Sequence, residues 1–176
     1  MRRSVALSAI AVLVIATGLS LLLATRHPVS EATSAPSPLL GHLAPPLSGA
    51  ELGGGHFSLA ADRGRVVVVS FWASWCGPCV AEAPELSTFA WTMRHRGVAV
   101  VGVVFNDTVA AALAFAHHYG SLYPSVIDPG GAIANRYGVT SPPTTFVVDA
   151  RGLVAATLLG PVTAGQLRRV VARVSS

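Results

Sequence analysis

The sequence predicts one α/β domain, in which a central mixed β-sheet is covered by helices on both faces. Two near-continuous runs of β-branched and aromatic residues, Val66–Trp72 and Val98–Phe105, are typical of strands buried on both faces. A helix-like stretch follows each run, and the chain closes with two more strand-like runs and a helix. The 176 residues are 52% hydrophobic, which suits a single core and argues against a disordered chain.

The amino terminus is predicted to cross a membrane. Ser4–Thr25 contains no charged residue and is long enough, as a helix, to span about 30 Å of hydrocarbon. Arg2 and Arg3 precede this run and only Arg26 follows it closely, which favours an internal amino terminus and an external domain. We expect residues 1–25 to be an uncleaved signal anchor of a single-pass protein. A cleaved signal peptide is the alternative.

The next segments predict a tether and then a hairpin. Residues 26–40 are rich in Pro, Ser, Ala and Thr without an apolar period, which is typical of a flexible tether. Pro45–Leu59 contains short extended pieces on both sides of three consecutive glycines, which favours a β-hairpin. The folded domain is therefore expected to occupy residues 41–176.

The remaining elements follow from periodicity, caps and turn residues. After Trp72 a helix should run to about Arg96, with a kink at Pro84. The later elements are expected as a helix at Asp107–Tyr119 ended by Gly120, a strand at Ser125–Ile127, a turn at Asp128–Gly131, a short helix to Tyr137, and strands at Thr144–Val148 and Leu153–Leu159. Thr163 and Gln166 form a capping-box pattern for a last helix. Its buried stripe is expected at Leu167, Val170, Val171 and Val174.

Charge and cysteine count exclude two classes of protein. The chain has 12 basic residues, all Arg, and 8 acidic residues. Without Arg2 and Arg3 the net charge is about +2 (10 Arg against 8 acids), which is too weak and dispersed for nucleic-acid binding. The 2 cysteines lie three positions apart, so they cannot form a disulfide scaffold.

The cysteine motif points to redox chemistry. Cys76 and Cys79 lie between a predicted buried strand and a predicted helix. At the helix amino terminus, unsatisfied N–H groups and the helix dipole would stabilise a Cys76 thiolate. In such sites the thiol pKa falls from about 8.5 to between roughly 3.5 and 7.5. Cys79, one turn later, is placed to attack the mixed disulfide and release the product.

Metal binding and a purely structural disulfide are the competing interpretations of this motif. A tetrahedral zinc site needs four ligands, and the sequence has no second CxxC and no HxxxH. A staple that closes so short a loop would add little stability. We expect no metal and no cofactor other than the Cys76–Cys79 disulfide.

Phe71–Cys79 resembles the active-site segment of the thioredoxin superfamily, and Pro84 matches the kink proline of that family's active-site helix. The pattern is most similar to the exported, membrane-anchored TlpA/ResA/CcmG-like branch. Four features support this: the Gly41-x-x-Ala44-Pro45 opening, Glu82 three residues after Cys79, a central insertion at Asp107–Ile127, and the proline segment Tyr137–Asp149. The resemblance implies a thioredoxin-like three-layer fold with an amino-terminal hairpin and a central insertion.

The resemblance also implies roles for individual residues. Pro143 should be cis and face Cys76, and Pro142 should supply the backbone edge that pairs with a substrate chain. The residues expected at the substrate side are Trp75, Gly77, Pro78, Pro142 and Pro143.

One position departs from ordinary thioredoxins. They bury an Asp six residues before the first cysteine, and here that residue is Ser70. The base for Cys79 is therefore expected to be Glu82, whose pKa would rise if its carboxyl is desolvated. A solvated helix residue is the alternative reading of Glu82.

The expected function is exchange of the Cys76–Cys79 pair with protein disulfides outside the cytoplasmic membrane. The resemblance implies reduction of clients such as apocytochrome c, with electrons from a membrane thiol carrier. A disulfide-forming oxidase with the same site is the main alternative. A Sco-type copper protein is disfavoured because those proteins use Cys-x-x-x-Cys and a distant His. A peroxidase is disfavoured because the loop before its reactive cysteine is missing.

Overall fold

The structure is a computed structural model that describes residues 14–18 and 32–175. Apart from residues 14–18, which are helical, the predicted membrane segment Ser4–Thr25 lies outside the described residues. Within the described parts of the chain, no helix combines the length and the apolar character needed to cross a membrane.

The described residues alternate strands and helices as the sequence predicts. The strands are β1 (Thr33–Ser34), β2 (Ser48–Ala50), β3 (His56–Ser58), β4 (Val66–Trp72), β5 (Val98–Phe105), β6 (Ser125–Asp128), β7 (Thr144–Val148) and β8 (Val154–Leu159). The helices beyond residue 32 are α1 (Gly77–Met93), α2 (Val109–Tyr119), α3 (Ala132–Tyr137) and α4 (Ala164–Val174), with a 3-10 turn at Leu59–Asp62. The two central strands, β4 and β5, have the predicted bounds.

Six strands form one mixed sheet in the order β1-β8-β7-β4-β5-β6. Strands β4, β5 and β6 are parallel, whereas β7 is antiparallel to β4 and β8 is antiparallel to β7. Strand β4 lies in the middle of the sheet and all seven of its residues are buried. The prediction of a central mixed sheet is confirmed.

Two helical layers cover the sheet. On one face, Tyr137 of α3 packs with Phe71 and Phe146. On the other face, Leu86 of α1 and Leu167 of α4 belong to a second core cluster. Helix α2 lies on this second side, where Phe115 stacks on Trp72 at 5.0 Å between ring centroids. The three-layer arrangement matches the thioredoxin-like fold expected from the resemblance.

The segment predicted as a tether contributes to the sheet. Thr33 and Ser34 pair with Leu159 and Leu158, so the ordered domain begins before the expected boundary at residue 41. Gln166 donates its side-chain amide to the Ala32 carbonyl. The Thr163 hydroxyl accepts the Gln166 N–H, which is the first half of the predicted capping box of α4. In the second half the Gln166 side chain would turn back to Thr163, but here it contacts the Ala32 carbonyl instead.

The β2–β3 hairpin docks on the edge of the sheet through β6. Leu52 donates its backbone N–H to the Ser125 oxygen at 2.7 Å. Beside this edge, Trp72 donates to the Ser125 hydroxyl at 3.2 Å across Gly102. A Cβ at Gly102 would lie 2.5 Å from the Trp72 ring nitrogen, so only glycine allows this close approach. These contacts brace the carboxyl end of β4, from which the cysteine segment emerges.

Candidate active site

The two cysteines form a disulfide at the amino terminus of α1. Cys76 is the N-cap residue of α1, and its sulfur accepts the backbone N–H of Cys79 at 3.2 Å. The S–S distance is 2.02 Å. Cys76 is 4% exposed and Cys79 is 1% exposed. After reduction, the same N–H and the helix dipole would favour a thiolate at Cys76, as the motif predicts.

The loop before Cys76 is held by the loop after β5. The Asp107 carboxylate accepts the backbone N–H of Ser74 at 2.6 Å, and its other oxygen accepts the Thr108 N–H at 2.8 Å. Trp75 donates its ring N–H to the Asn106 oxygen at 3.0 Å, while its side chain is 57% exposed. Asp107 and Asn106 therefore act as positioning residues for the segment that presents Cys76.

Replacing Asp107 with Ala should loosen this segment. We expect the free energy of unfolding to fall by about 1–2 kcal/mol, because hydrogen bonds to a charged acceptor are lost, and disulfide exchange to slow several-fold. Asp107→Asn keeps one of the two oxygen acceptors and should recover only part of both effects. Urea unfolding and stopped-flow exchange rates measure this, and equal values for Asp107→Ala and the wild type would contradict the positioning role.

The cis-proline predicted from the resemblance is present. The Pro142–Pro143 peptide bond is cis, and both residues line the same cleft as Pro78 of α1. The Pro143 oxygen accepts the Gly160 N–H at 3.1 Å, which fixes the loop against the end of β8. A substrate-binding role for these prolines stays a prediction.

Glu82 is buried in the protein, so the solvated alternative is wrong. Its side chain is 1% exposed and lies one turn after Cys79 on α1. One carboxylate oxygen accepts the Val162 N–H at 3.1 Å and the other accepts the Ser70 hydroxyl at 3.3 Å. Burial raises the pKa of Glu82 from its ordinary 4.5 to about 7, although the two hydrogen bonds act in the opposite direction. A carboxyl with this pKa can give or take a proton near neutral pH.

Glu82 and Cys79 share one face of the helix. Residues three apart on a helix have Cβ atoms about 5–6 Å apart. Both side chains point into the layer between α1 and the sheet, because both are buried and Glu82 contacts Ser70 of β4. The carboxyl of Glu82 therefore contacts β4 at Ser70, which is the position that the buried Asp occupies in ordinary thioredoxins.

Several contributors to the site were not singled out from the sequence. The sequence marks Asp107 as the start of a helix and of the insertion, but its position two residues after a buried parallel strand, just before Thr108, is a usable signal for a positioning role. The Val162 N–H is a backbone group 80 residues from Glu82, and no residue type marks it.

Gly77 and Pro78 are exposed in the first turn of α1, as a substrate-facing position requires.

Comparison with known proteins identifies the family. The family model described as "AhpC/TSA family" matches residues 40–157. The thiol-disulfide oxidoreductase ResA of Bacillus thuringiensis (strain Al Hakam) is 30% identical over 136 residues, 77% of this chain and 79% of that protein. The thiol:disulfide interchange protein DsbE of Allochromatium vinosum is 37% identical over 145 residues, 78% of each chain.

Solved structures give the same result. The crystal structure of a DsbF homologue from Corynebacterium diphtheriae matches with a TM-score of 0.71 at 28% identity, over 84% of this chain and 96% of that one. The family match covers most of the described domain, including both cysteines and the cis-proline. The chain belongs to the AhpC/TSA family of thioredoxin-fold proteins and is a thiol–disulfide oxidoreductase of the ResA and DsbE type.

Proposed function

We propose that the protein is a reductase that acts on disulfides of exported proteins outside the cytoplasmic membrane. The observation that supports this most is the disulfide at the start of α1 beside a cis-proline, with a buried carboxyl behind the second cysteine. The Gly77-Pro78 pair between the cysteines, which resembles reducing thioredoxins, favours reduction over oxidation. Formation of disulfides by the same site is the alternative.

The reaction needs only the groups of this chain and the client. The Cys76 thiolate attacks one sulfur of the client disulfide, and the other client sulfur leaves as a thiolate. Cys79 then gives its proton to Glu82 and attacks the Cys76 sulfur, which releases the second client sulfur. The client has gained two electrons and the Cys76–Cys79 pair has lost two. Glu82 returns its proton to the departing thiolate or to solvent, so protons balance.

The proposed setting follows from the amino terminus. We infer that residues 1–25 anchor the chain in the cytoplasmic membrane with the amino terminus inside and the catalytic domain outside. The clients proposed are protein disulfides, with the haem-binding cysteines of apocytochrome c as the class that the ResA/CcmG resemblance implies. A membrane thiol carrier would return the electrons. Neither a further cofactor nor a metal enters this proposal, and nucleic acid is not a partner in it.

Labelling of intact cells tests both the external location of the catalytic domain and the direction of electron flow. A membrane-impermeant maleimide of high mass should label Cys76 of the wild-type chain without permeabilisation, because a reductase is kept reduced outside the membrane and Cys79 is buried at 1% exposure. Cys76→Ser/Cys79→Ser is the unlabelled control. Labelling only after lysis would contradict the external location. Labelling only after treatment with a reductant would favour the oxidase.

A further inference from the structure

Three polar side chains lie in the buried layer between the sheet and α1. Glu82 comes from α1, Ser70 from β4 and Thr145 from β7, and all three are 0–1% exposed. Ser70 and Thr145 are directly opposite partners in the antiparallel pairing of β4 with β7. Directly opposite residues project to the same face of a sheet, with Cβ atoms about 4.5–5.5 Å apart. Thr145 therefore lies beside Ser70 on the face that Glu82 contacts.

The hydroxyl of Thr145 is unpaired in this layer. Ser70 donates its hydroxyl to Oε2 of Glu82 at 3.3 Å, and the Val162 N–H donates to Oε1 at 3.1 Å. Oγ1 of Thr145 has no hydrogen-bond partner within the part of the chain that the structure describes. An unpaired buried hydroxyl costs free energy, and a valine of the same shape would avoid that cost.

Protonation of Glu82 changes the hydrogen bond that Ser70 can make. The observed contacts suit the ionised carboxylate, which only accepts hydrogen bonds. Because Oε1 already accepts the Val162 N–H, a proton gained by the carboxyl belongs on Oε2, where it faces the Ser70 oxygen. Oε2 then donates to Ser70, and the hydroxyl proton of Ser70 must turn to another acceptor. The Thr145 oxygen, which is unpaired and directly opposite, is placed to be that acceptor.

We propose that Ser70 and Thr145 form a hydroxyl switch that follows the protonation of Glu82. Ser70 donates to Glu82 when the carboxyl is ionised, and it accepts from Glu82 and donates to Thr145 when the carboxyl is protonated. The hydroxyl proton of Ser70 only rotates, so the proton that Glu82 gains is the only one transferred. Ser70 and Thr145 are positioning residues, because they act through Glu82. The inference deepens the proposed function, in which that proton comes from Cys79.

The ionisable groups that face Glu82 come from α1 and from the segment before β6. Cys79 is held in the disulfide of the oxidised protein and does not titrate there. Burial and the charge of Glu82 raise the pKa of Tyr123 above its ordinary 10, so Tyr123 stays neutral where Glu82 titrates. Glu85, half-buried on α1, accepts the Ala164 N–H at 2.8 Å. Strands β4 and β7 contribute no ionisable side chain.

NMR of glutamate carboxyls labelled at Cδ can test the hydroxyl switch on the oxidised full chain in detergent. Glu82→Gln and Glu85→Gln assign the two signals of α1. Thr145→Val should lower the titration midpoint of Glu82 by about 0.5 to 1 pH unit, as expected when the protonated form alone loses one hydrogen bond. Thr145→Ala should act in the same direction, and Thr145→Ser, which keeps a hydroxyl, should restore the wild-type midpoint.

Two further variants separate the hydroxyl switch from a general effect on the core. In a Ser70→Ala background, Thr145→Val should no longer move the midpoint, because the residue that connects Thr145 to Glu82 is missing. Thr157→Val is the matched control. The Thr157 hydroxyl is also buried and unpaired among the described residues, but Thr157 pairs with Phe146 and so lies on the opposite face of the sheet. Thr157→Val should leave the midpoint as in the wild type.

The pH profile of disulfide exchange by the reduced protein gives a second readout. The pH at which exchange accelerates should fall with the NMR midpoint in Thr145→Val, because ionised Glu82 is the proposed base for Cys79. A change in stability alone would not move this pH.

The outcomes distinguish the hydroxyl switch from the proposed function. An unchanged or raised NMR midpoint in Thr145→Val would overturn the switch. A shift that persists in the Ser70→Ala background would overturn it as well, because Thr145 would then act without Ser70. If the midpoint falls as expected but Glu82→Gln exchanges disulfides like the wild type at every pH, the switch is supported and the role of Glu82 as the base for Cys79 fails.

Discussion

Cys79→Ser is expected to trap client proteins as mixed disulfides on Cys76, and Cys76→Ser is expected to lower exchange at least about a thousandfold. The Cys76 sulfur sits at the helix N-cap, where an N–H and the dipole stabilise a thiolate. Cys79 provides the only sulfur of this chain that can resolve the adduct, since the sequence contains 2 cysteines. Removing it therefore stops the reaction at the mixed-disulfide stage.

Non-reducing gels and mass spectrometry of membranes measure the trapped species. The adducts should disappear on treatment with a reductant, and Cys76→Ser/Cys79→Ser should form none. Adducts on Cys76→Ser as abundant as those on Cys79→Ser would transfer the nucleophile role to Cys79. Absence of any protein adduct on Cys79→Ser would contradict a role in protein-disulfide exchange.

Glu82→Gln is expected to flatten the pH dependence of stability. The folded-state pKa of Glu82 is about 7 against an ordinary 4.5, so the folded protein holds the proton more tightly than the unfolded chain. The associated stability is complete below pH 4.5 and is lost as the pH rises through 7. At about 1.4 kcal/mol for each unit of pKa, the loss approaches about 3 kcal/mol at alkaline pH. Glutamine carries no charge and should not lose this stability.

The same Glu82→Gln variant, although more stable at alkaline pH, should exchange disulfides more slowly there. Above pH 6 the Glu82→Gln variant should react several-fold more slowly than the wild type, because the proton acceptor for Cys79 is missing. Urea unfolding at pH 5 and pH 8, with exchange rates at the same pH values, measures both effects. Glu85→Gln, at a half-buried position on the same helix, is the matched control. Equal pH profiles for Glu82→Gln and the wild type would contradict the role of Glu82.

The sheet and the cysteine site were accessible to sequence reasoning because their signals are local. Runs of β-branched residues gave the bounds of β4 and β5, since a strand buried on both faces needs apolar side chains at every position. The position of Cys76 at a helix start followed from the strand, the CxxC spacing and Pro78. The cis bond at Pro143 came from the resemblance and not from any local pattern.

Other features depend on contacts between distant parts of the chain. The two residues of β1 form a strand through partners in β8, and no periodicity in a Pro- and Ser-rich segment indicates this. The carboxyl of Glu82 is fixed by Val162, and the loop before Cys76 is fixed by Asp107. Each of these contacts joins residues far apart in sequence. Composition and spacing could therefore identify the reactive residues but not the distant groups that hold them in place.

The reduction potential of the Cys76–Cys79 pair tests the central claim most directly. It can be measured on the full chain in detergent by equilibration with glutathione buffers or with thioredoxin. A reductase supplied with electrons outside the membrane is predicted to have a potential near that of thioredoxin, about −270 mV. A potential near about −120 mV, as in a strong disulfide-forming oxidant, would contradict the proposed direction of electron flow.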